Sequence, residues 1–290
     1  MKKIFIINPI SGNGHGLKAG QKIETLLQKK PADNVIIFTE YSGHARALAS
    51  EWQHKAERIV VVGGDGTLNE VVNGIDKDST DIALIPTGTG NDYAAFSNVP
   101  FELEQALALA QNGFAQKVDM GKVTASGQAQ LFINALGIGF DAMVADFVHN
   151  FKYFTGMTAY ALALVKALFV WQSPQMRTDT DSGNAFLINI GIGSRVGGGF
   201  YLSPEARADD ALFDICRIRP FSLLQAPVLL KSILQKKHPG LSFVDYWQQD
   251  QLKISIARPV SLHCDGQMFP DKATELVVEM LPGRLAFVKP

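Results

Sequence analysis

Ile59-Val60-Val61-Val62-Gly63-Gly64-Asp65-Gly66-Thr67 is the stretch on which the organisation of the chain turns. Four branched apolar residues in unbroken succession read as a strand buried on both faces, as in a parallel sheet covered by helices. Gly63 ends the run, and residues 68–75 carry a helical pattern, so strand, glycine turn and helix follow one another without a linker. A helix that starts this way aims its free amides and the positive end of its dipole at one point, where a phosphate can bind. Glycines at 63, 64 and 66 let a polyphosphate approach the main chain with no Cβ in the way. Asp65 is the unusual member, because a carboxylate beside phosphates is repelled unless it binds a metal, takes a proton or orients a donor. Mg²⁺ would satisfy it, with water completing the shell. The alternative is a plain Asp-Gly turn in which Asp65 or Thr67 caps the helix.

The same texture continues on both sides of this stretch. Strand-like runs at 4–7, 35–38 and 82–85 alternate with helical patterns at 17–29, 45–52 and 103–111, a βαβ repetition that predicts a mostly parallel sheet with right-handed crossovers. In such sheets ligands bind beyond the carboxyl ends of the strands. Asn8-Pro9, Thr39, residues 63–67 and residues 86–92 all fall there. Two of these segments are further Gly-rich loops, Asn8-Pro9-Ile10-Ser11-Gly12-Asn13-Gly14 and Pro86-Thr87-Gly88-Thr89-Gly90-Asn91-Asp92. Three loops at neighbouring strand ends predict a nucleotide cleft. None has the Gly-x-x-x-x-Gly-Lys-Ser/Thr form, and no Gly-x-Gly-x-x-Gly follows Ile7, so the binding mode is a different one.

Beyond residue 112 the pattern changes. Short strand-like runs at 118–124, 131–136, 175–180, 185–190, 213–218, 252–256 and 276–279, separated by Gly, Asp, Asn or Pro, predict antiparallel sheet. Helical patterns at 156–170 and 221–237 interrupt it. The expected fold is thus an α/β N-terminal domain with a mostly parallel sheet, residues 1–124, followed by a β-rich antiparallel, sandwich-like domain with helical insertions, residues 125–290. The boundary falls near 119–128, and residues 285–288 are a candidate to return to the first domain.

Composition fits a folded, reduced, non-spanning protein. The 290 residues are 47% apolar and 19% charged, and 27 Lys plus Arg against 28 Asp plus Glu give a net charge of -1, so no global attraction to nucleic acid is expected. Cys216 and Cys264 lie in apolar runs without Cys-x-x-Cys spacing and read as reduced core thiols of a cytosolic protein. The six histidines, His263 among them, show no zinc spacing and read as surface, capping or core residues. The apolar run 157–171 contains Lys166 and is too short to span a bilayer. With 18 Phe in the chain, docking on a membrane surface stays open. Phe151, Tyr153 and Phe154 with the helix 158–171 are open to two readings, an acyl-chain channel or core packing.

Asn8 to Gly12, Gly63 to Thr67 with Asn69-Glu70, and Gly88 to Asp92 resemble, in order, the signatures of the bacterial diacylglycerol-kinase-like lipid kinases. The resemblance continues through Asn134-x-x-Gly137-x-Gly139-x-Asp141-Ala142, Gly156-x-x-Ala159-Tyr160, Gly198-Gly199 with Pro204, and His263-Cys264-Asp265-Gly266. It implies an ATP- and Mg²⁺-dependent kinase that phosphorylates a lipid hydroxyl, diacylglycerol-like, in the cytoplasm and peripheral at the inner face of the membrane. Contact with the membrane would be reversible; no nucleic-acid partner is expected, and a homodimer is left open. By this resemblance Asn8, Ser11, Thr39, Gly63, Gly64, Gly66, Thr67, Gly88, Thr89 and Asn91 surround the nucleotide. Asp65 and Asp210 serve the metal and the transfer centre, and Asp265 activates the lipid hydroxyl.

Three positions depart from the family pattern. Gln267 stands where Asp-Gly-Glu is common, Ala211 where Gly commonly follows Asp210, and Tyr93-Ala94-Ala95-Phe96 lacks the basic residue that often follows the Gly-Thr-Gly-Asn-Asp loop. Gln267 can accept a hydrogen bond but brings no charge and no useful basicity. Two other readings therefore stay in view: a kinase of a soluble substrate, similar to NAD kinases, and a nucleotide-binding regulatory protein without transfer activity.

Overall fold

The computed structural model describes residues 2–28, 34–76, 80–150, 166–167, 170–178 and 181–290. Strand and helix alternate from the N-terminus: β1 (Lys3–Ile7), α1 (Ser11–Gln28), β2 (Asn34–Phe38), α2 (His44–Trp52), β3 (Arg58–Gly63), α3 (Asp65–Val72) and β4 (Asp81–Pro86). The four strands pair in parallel in the order β2-β1-β3-β4. Ile4, Ile6, Ile59 and Val61 pack on one face with Leu48 of α2 and Leu68 and Val71 of α3. Phe5, Ile7, Val60 and Val62 pack on the other with Ile23 of α1. Alternate residues of each strand thus serve opposite helical layers, which is why the runs are apolar throughout.

α4 (Asp92–Phe96) and α5 (Leu103–Asn112) lead into β5 (Ala115–Ala125) and β6 (Gln128–Phe132), and then into β7 (Ala135–Gly139) and α6 (Phe140–Asn150). The single strand expected at 131–136 is two strands in different sheets, because residues 133–135 turn their amides to a distant carboxylate. β8 (Gln175–Arg177), β9 (Ser182–Asn184), β10 (Leu187–Gly191) and β11 (Phe213–Ile218) follow. A 3-10 turn (Leu223–Gln225) then leads into α7 (Ala226–Leu234). β12 (Val244–Gln249), β13 (Gln251–Val260), β14 (Leu262–Cys264), β15 (Gln267–Met268) and β16 (Ala273–Val288) complete the chain. The helix expected over 156–170, with Gly156, Ala159 and Tyr160, lies outside the described residues apart from 166, 167 and 170, as do Phe151, Tyr153 and Phe154.

β12-β11-β10-β7-β14-β15 form an antiparallel sheet of six strands. The other sheet has ten strands among the described residues and continues from β4 through β16, β13, β8 and β9, with β5 pairing β16 and β6 pairing β5. The last strand reaches the first half of the chain, where Phe287 lies beside Ile82 in parallel. An α/β unit with a parallel sheet thus meets an antiparallel β-rich unit, as the sequence indicates.

One turn in this second unit is strained. Ala211 has φ 62, and its amide is held by Asp119 Oδ2 at 2.8 Å while Asp119 Oδ1 takes the Gly283 amide at 2.7 Å. The left-handed region is unfavourable for a residue with a Cβ. Ala211→Gly removes that strain and gives back part of the gain through a more flexible unfolded chain, so a net stabilisation of about 0.5–1 kcal/mol is expected. A urea midpoint no higher than that of the parent would refute it.

Candidate active site

The parallel register sets the ends of β1, β3 and β4 side by side, with Ile7 opposite Val62 and Gly63 opposite Pro86. The ladder runs past the strands: the amides of Asn8, Thr39 and Thr87 donate to the carbonyls of Val62, Ile7 and Gly63 at 2.9, 2.8 and 2.9 Å. Side chains lock the loops together. Asn8 Nδ2 donates to Thr67 Oγ1 at 2.9 Å, and the hydroxyls of Ser11 and Thr87 are 2.6 Å apart. Asn91 closes its own loop, accepting from the Gly88 amide at 2.9 Å and donating to the Gly88 carbonyl at 2.7 Å. Gly64 and Gly88 meet backbone to backbone, since a Cβ on Gly64 would stand 2.9 Å from Gly88 Cα. The three loops therefore form one surface, with Thr89 exposed at its tip. The first-turn amides of α3, residues 65–67, fall outside its intrahelical ladder and face this surface.

Two carboxylates meet above it. Asp65 accepts the amides of Asp92 and Tyr93, each at 3.1 Å, and so caps α4 from a different element. Asp92 is buried; its Oδ2 accepts the Gly198 amide at 2.7 Å, and its Oδ1 has no hydrogen-bond partner, with Arg195 Nε 3.6 Å away. Burial raises the Asp92 pKa and Asp65 adds to the rise, while the Gly198 amide and Arg195 oppose it. A Cβ on Gly90 would lie 3.2 Å from Asp65 Oδ2 and 3.5 Å from Asp92 Oδ2, so the two carboxylates flank that glycine. Each Asp65 oxygen keeps a lone pair, while Asp92 Oδ1 is closed off from solvent beside Arg195. Hard oxygen donors of this kind fit Mg²⁺, which takes one or two carboxylates and fills its shell with phosphate and water. Among the described residues no three His, Cys, Asp or Glu side chains gather into a closed cage.

Asp265 reaches α3 from the second half of the chain, through Asn69 Nδ2 at 2.8 Å. With φ 51 at Asp265 and φ 80 at Gly266, the pair forms the two-residue turn between β14 and β15. Asp265 Oδ1 accepts the amides of Asn134 and Ala135 at 2.9 Å each, and Oδ2 accepts the Ile133 amide at 3.0 Å and Asn69 Nδ2 at 2.8 Å. Burial raises its pKa and these four donors pull the other way. Both oxygens are engaged, so the carboxylate anchors the hairpin. Gln267 is the hairpin residue turned toward the phosphate loop, its Nε2 only 2.3 Å from where a Cβ on Gly66 would stand.

Asp210 Oδ1 accepts the Leu212 amide at 3.2 Å, and its charge acts on Asp214, whose pKa is raised chiefly by burial. His263 is a core residue, its Nε2 3.2 Å from Asp141 Oδ2. Sequence reading did not single out Asn73, Arg195 or the tie between Asp92 and Gly198. Asn73 alone left a signal: with Asn69 it places two amides four residues apart, on one face of the helical pattern. Asn73 Nδ2 donates to the Leu131 carbonyl at 2.9 Å and its Oδ1 accepts the Leu131 amide at 2.9 Å, tying α3 to β6.

Comparison with known proteins agrees with this fold. Residues 2–123 match the diacylglycerol kinase catalytic domain, and residues 134–289 match the YegS C-terminal NAD kinase beta sandwich-like domain. A Shewanella frigidimarina protein named "Probable lipid kinase YegS-like" is 31% identical over 92% of this chain and 94% of its own length. The diacylglycerol kinase of Bacillus subtilis is 28% identical over 79% of each chain. The crystal structure of a diacylglycerol kinase from Bacillus anthracis has the same fold, with a TM-score of 0.72 at 22% identity over 100% of this chain and 97% of that one.

Proposed function

The chain belongs to the diacylglycerol kinase and YegS-like lipid kinase family, and from that premise we propose that it transfers the γ-phosphoryl group of ATP to the hydroxyl of a diacylglycerol-like lipid. The observation that carries the reading is the meeting of three strand-end loops beneath the Asp65 and Asp92 carboxylates. The polyphosphate lies over residues 63–67 and 88–91, where main-chain amides and the α3 dipole compensate its charge. Asn8, Ser11, Thr39, Thr67 and Thr89 frame it. Asp65 would hold Mg²⁺, which when bound supplies charge compensation to the transferring group.

The remaining work falls to side chains of this chain. A hydroxyl nucleophile needs alignment and a late proton acceptor rather than a strong base. Asp92 fits that need: it is buried, its pKa is raised, and Oδ1 has no hydrogen-bond partner. Arg195 beside it keeps the carboxylate ionised until the proton is transferred. Asp265 is a positioning residue, holding the hairpin so that Gln267 lies against Gly66. Gln267 orients groups by hydrogen bonding and cannot take the proton.

The test is to incubate the purified protein with γ-labelled ATP, Mg²⁺ and a total bacterial lipid extract and then separate the phases. Label is expected in the organic phase. Label confined to the aqueous products would replace the lipid with a soluble acceptor, and no transfer to either would leave only nucleotide binding.

A further inference from the structure

α7 and the turn before it are apolar on both sides. Leu229 and Ile233 face inward, packed with Phe140, Val144, Cys216 and Ile218. Leu223, Leu224, Val228, Leu230 and Leu234 point outward and are exposed, Leu224 to 89%. A surface helix ordinarily turns a polar face to water, whereas here exposed apolar residues lie on both sides of Lys231, which stands opposite the buried Leu229 and Ile233, and a surface this apolar marks a docking site.

The charges around this face indicate what docks. From Ile215 to Val244 the chain contains no Asp or Glu, while Arg217, Arg219, Lys231, Lys236 and Lys237 are cationic. Arg217 is buried and paired with Asp181 and Asp245, and Arg219 pairs with Asp245. Lys231, Lys236 and Lys237 are exposed and take part in none of the described ion pairs, and Lys236 lies over the Tyr201 ring at 4.3 Å. Apolar side chains interleaved with an ammonium group at Lys231 and followed by two more at Lys236 and Lys237 match a bilayer interface carrying anionic headgroups. A second copy of the chain suits the face poorly, since a two-fold contact would bring the lysines together without an acidic partner.

The core beneath this face reaches the candidate active site. The cluster beneath α7 includes Val196 and Phe200, which bracket the Gly197-Gly198-Gly199 loop, and the Gly198 amide holds Asp92. We infer that the outer face of α7 and the turn 223–225 is the surface by which this protein seats on an anionic lipid bilayer. The inference rests on the lipid-kinase reading for its purpose, while the surface itself stands on exposure and charge.

Flotation of the full chain with vesicles of phosphatidylglycerol and phosphatidylcholine, without nucleotide, tests it. The parent is expected to float with these vesicles, less so as salt is raised, and weakly with phosphatidylcholine alone. Leu224→Asp combined with Val228→Asp should weaken binding by at least about tenfold, given what burying such side chains contributes. Lys231→Gln, Lys236→Gln and Lys237→Gln together should abolish the preference for phosphatidylglycerol, a readout that survives if the first variant folds poorly. Phe114→Asp, at another exposed apolar residue, should bind like the parent. The inference is overturned if the Leu224 and Val228 variant binds like the parent, or if light scattering shows a parent dimer that this variant dissociates. Vesicle binding by a protein without transfer activity would keep the surface and reject the kinase reading. Transfer to micellar lipid by a parent that never floats would do the reverse.

Discussion

Asp265→Asn is expected to destabilise the fold by about 3–5 kcal/mol, although the residue sits in a two-residue turn. The side chain accepts from four donors, two on each oxygen, and three of them are consecutive backbone amides. An amide keeps one acceptor oxygen. Whichever way it is turned, its NH₂ faces two N–H donors inside the protein, either those of Asn134 and Ala135 or those of Ile133 and Asn69. Asn tolerates the left-handed backbone about as well as Asp, so the exchange isolates the carboxylate from the turn geometry. The effect reads as a lower urea midpoint with an unchanged slope. A midpoint equal to that of the parent would return Asp265 to the role of a free carboxylate open to substrate.

Asp65→Asn should give the opposite profile. Phosphoryl transfer is expected to fall by about 10²–10³-fold, the range seen when one preorganised electrostatic contact is removed, with stability lowered by only about 1 kcal/mol for the weakened cap on α4. The remaining oxygen can still accept one of the Asp92 and Tyr93 amides. Turnover should therefore collapse in a protein whose circular dichroism and melting midpoint stay close to those of the parent. Parent-level turnover in a folded Asp65→Asn protein would remove Asp65 from the metal and phosphate site.

What the sequence made legible was local. The apolar run of β3, the glycines behind it and the restart as α3 lie within ten residues, so backbone preference and burial set them without help from elsewhere. The loops at 8–14 and 86–92 were legible for the same reason, and the parallel register then brought them together. The turn at Asp265-Gly266 was legible as a turn, but not what its carboxylate would hold. The Asn134 amide that it accepts is 131 residues away in sequence, and no window over 131–136 contains the reason why the chain breaks there into two strands. Asp65 shows the same limit, because its local setting suits capping α3, whereas it caps α4. The pairing of Asp92 with Gly198 likewise depends on how two sheets meet.

β16 joins everything at once: it runs along β5 for most of its length, pairs with β13 near its start and reaches β4 at Phe287. It is also the last strand in the chain. As the polypeptide is made from its N-terminus, the edge of β4 waits without a neighbour while nearly two hundred further residues are added. The order of manufacture and the order of strands in the sheet are thus set against each other. Such non-local closure raises contact order and slows folding, and it leaves an apolar sheet edge open to other chains until closure occurs. A fragment ending at the expected boundary would keep all three strand-end loops and still lack the strand that seals the sheet beneath them.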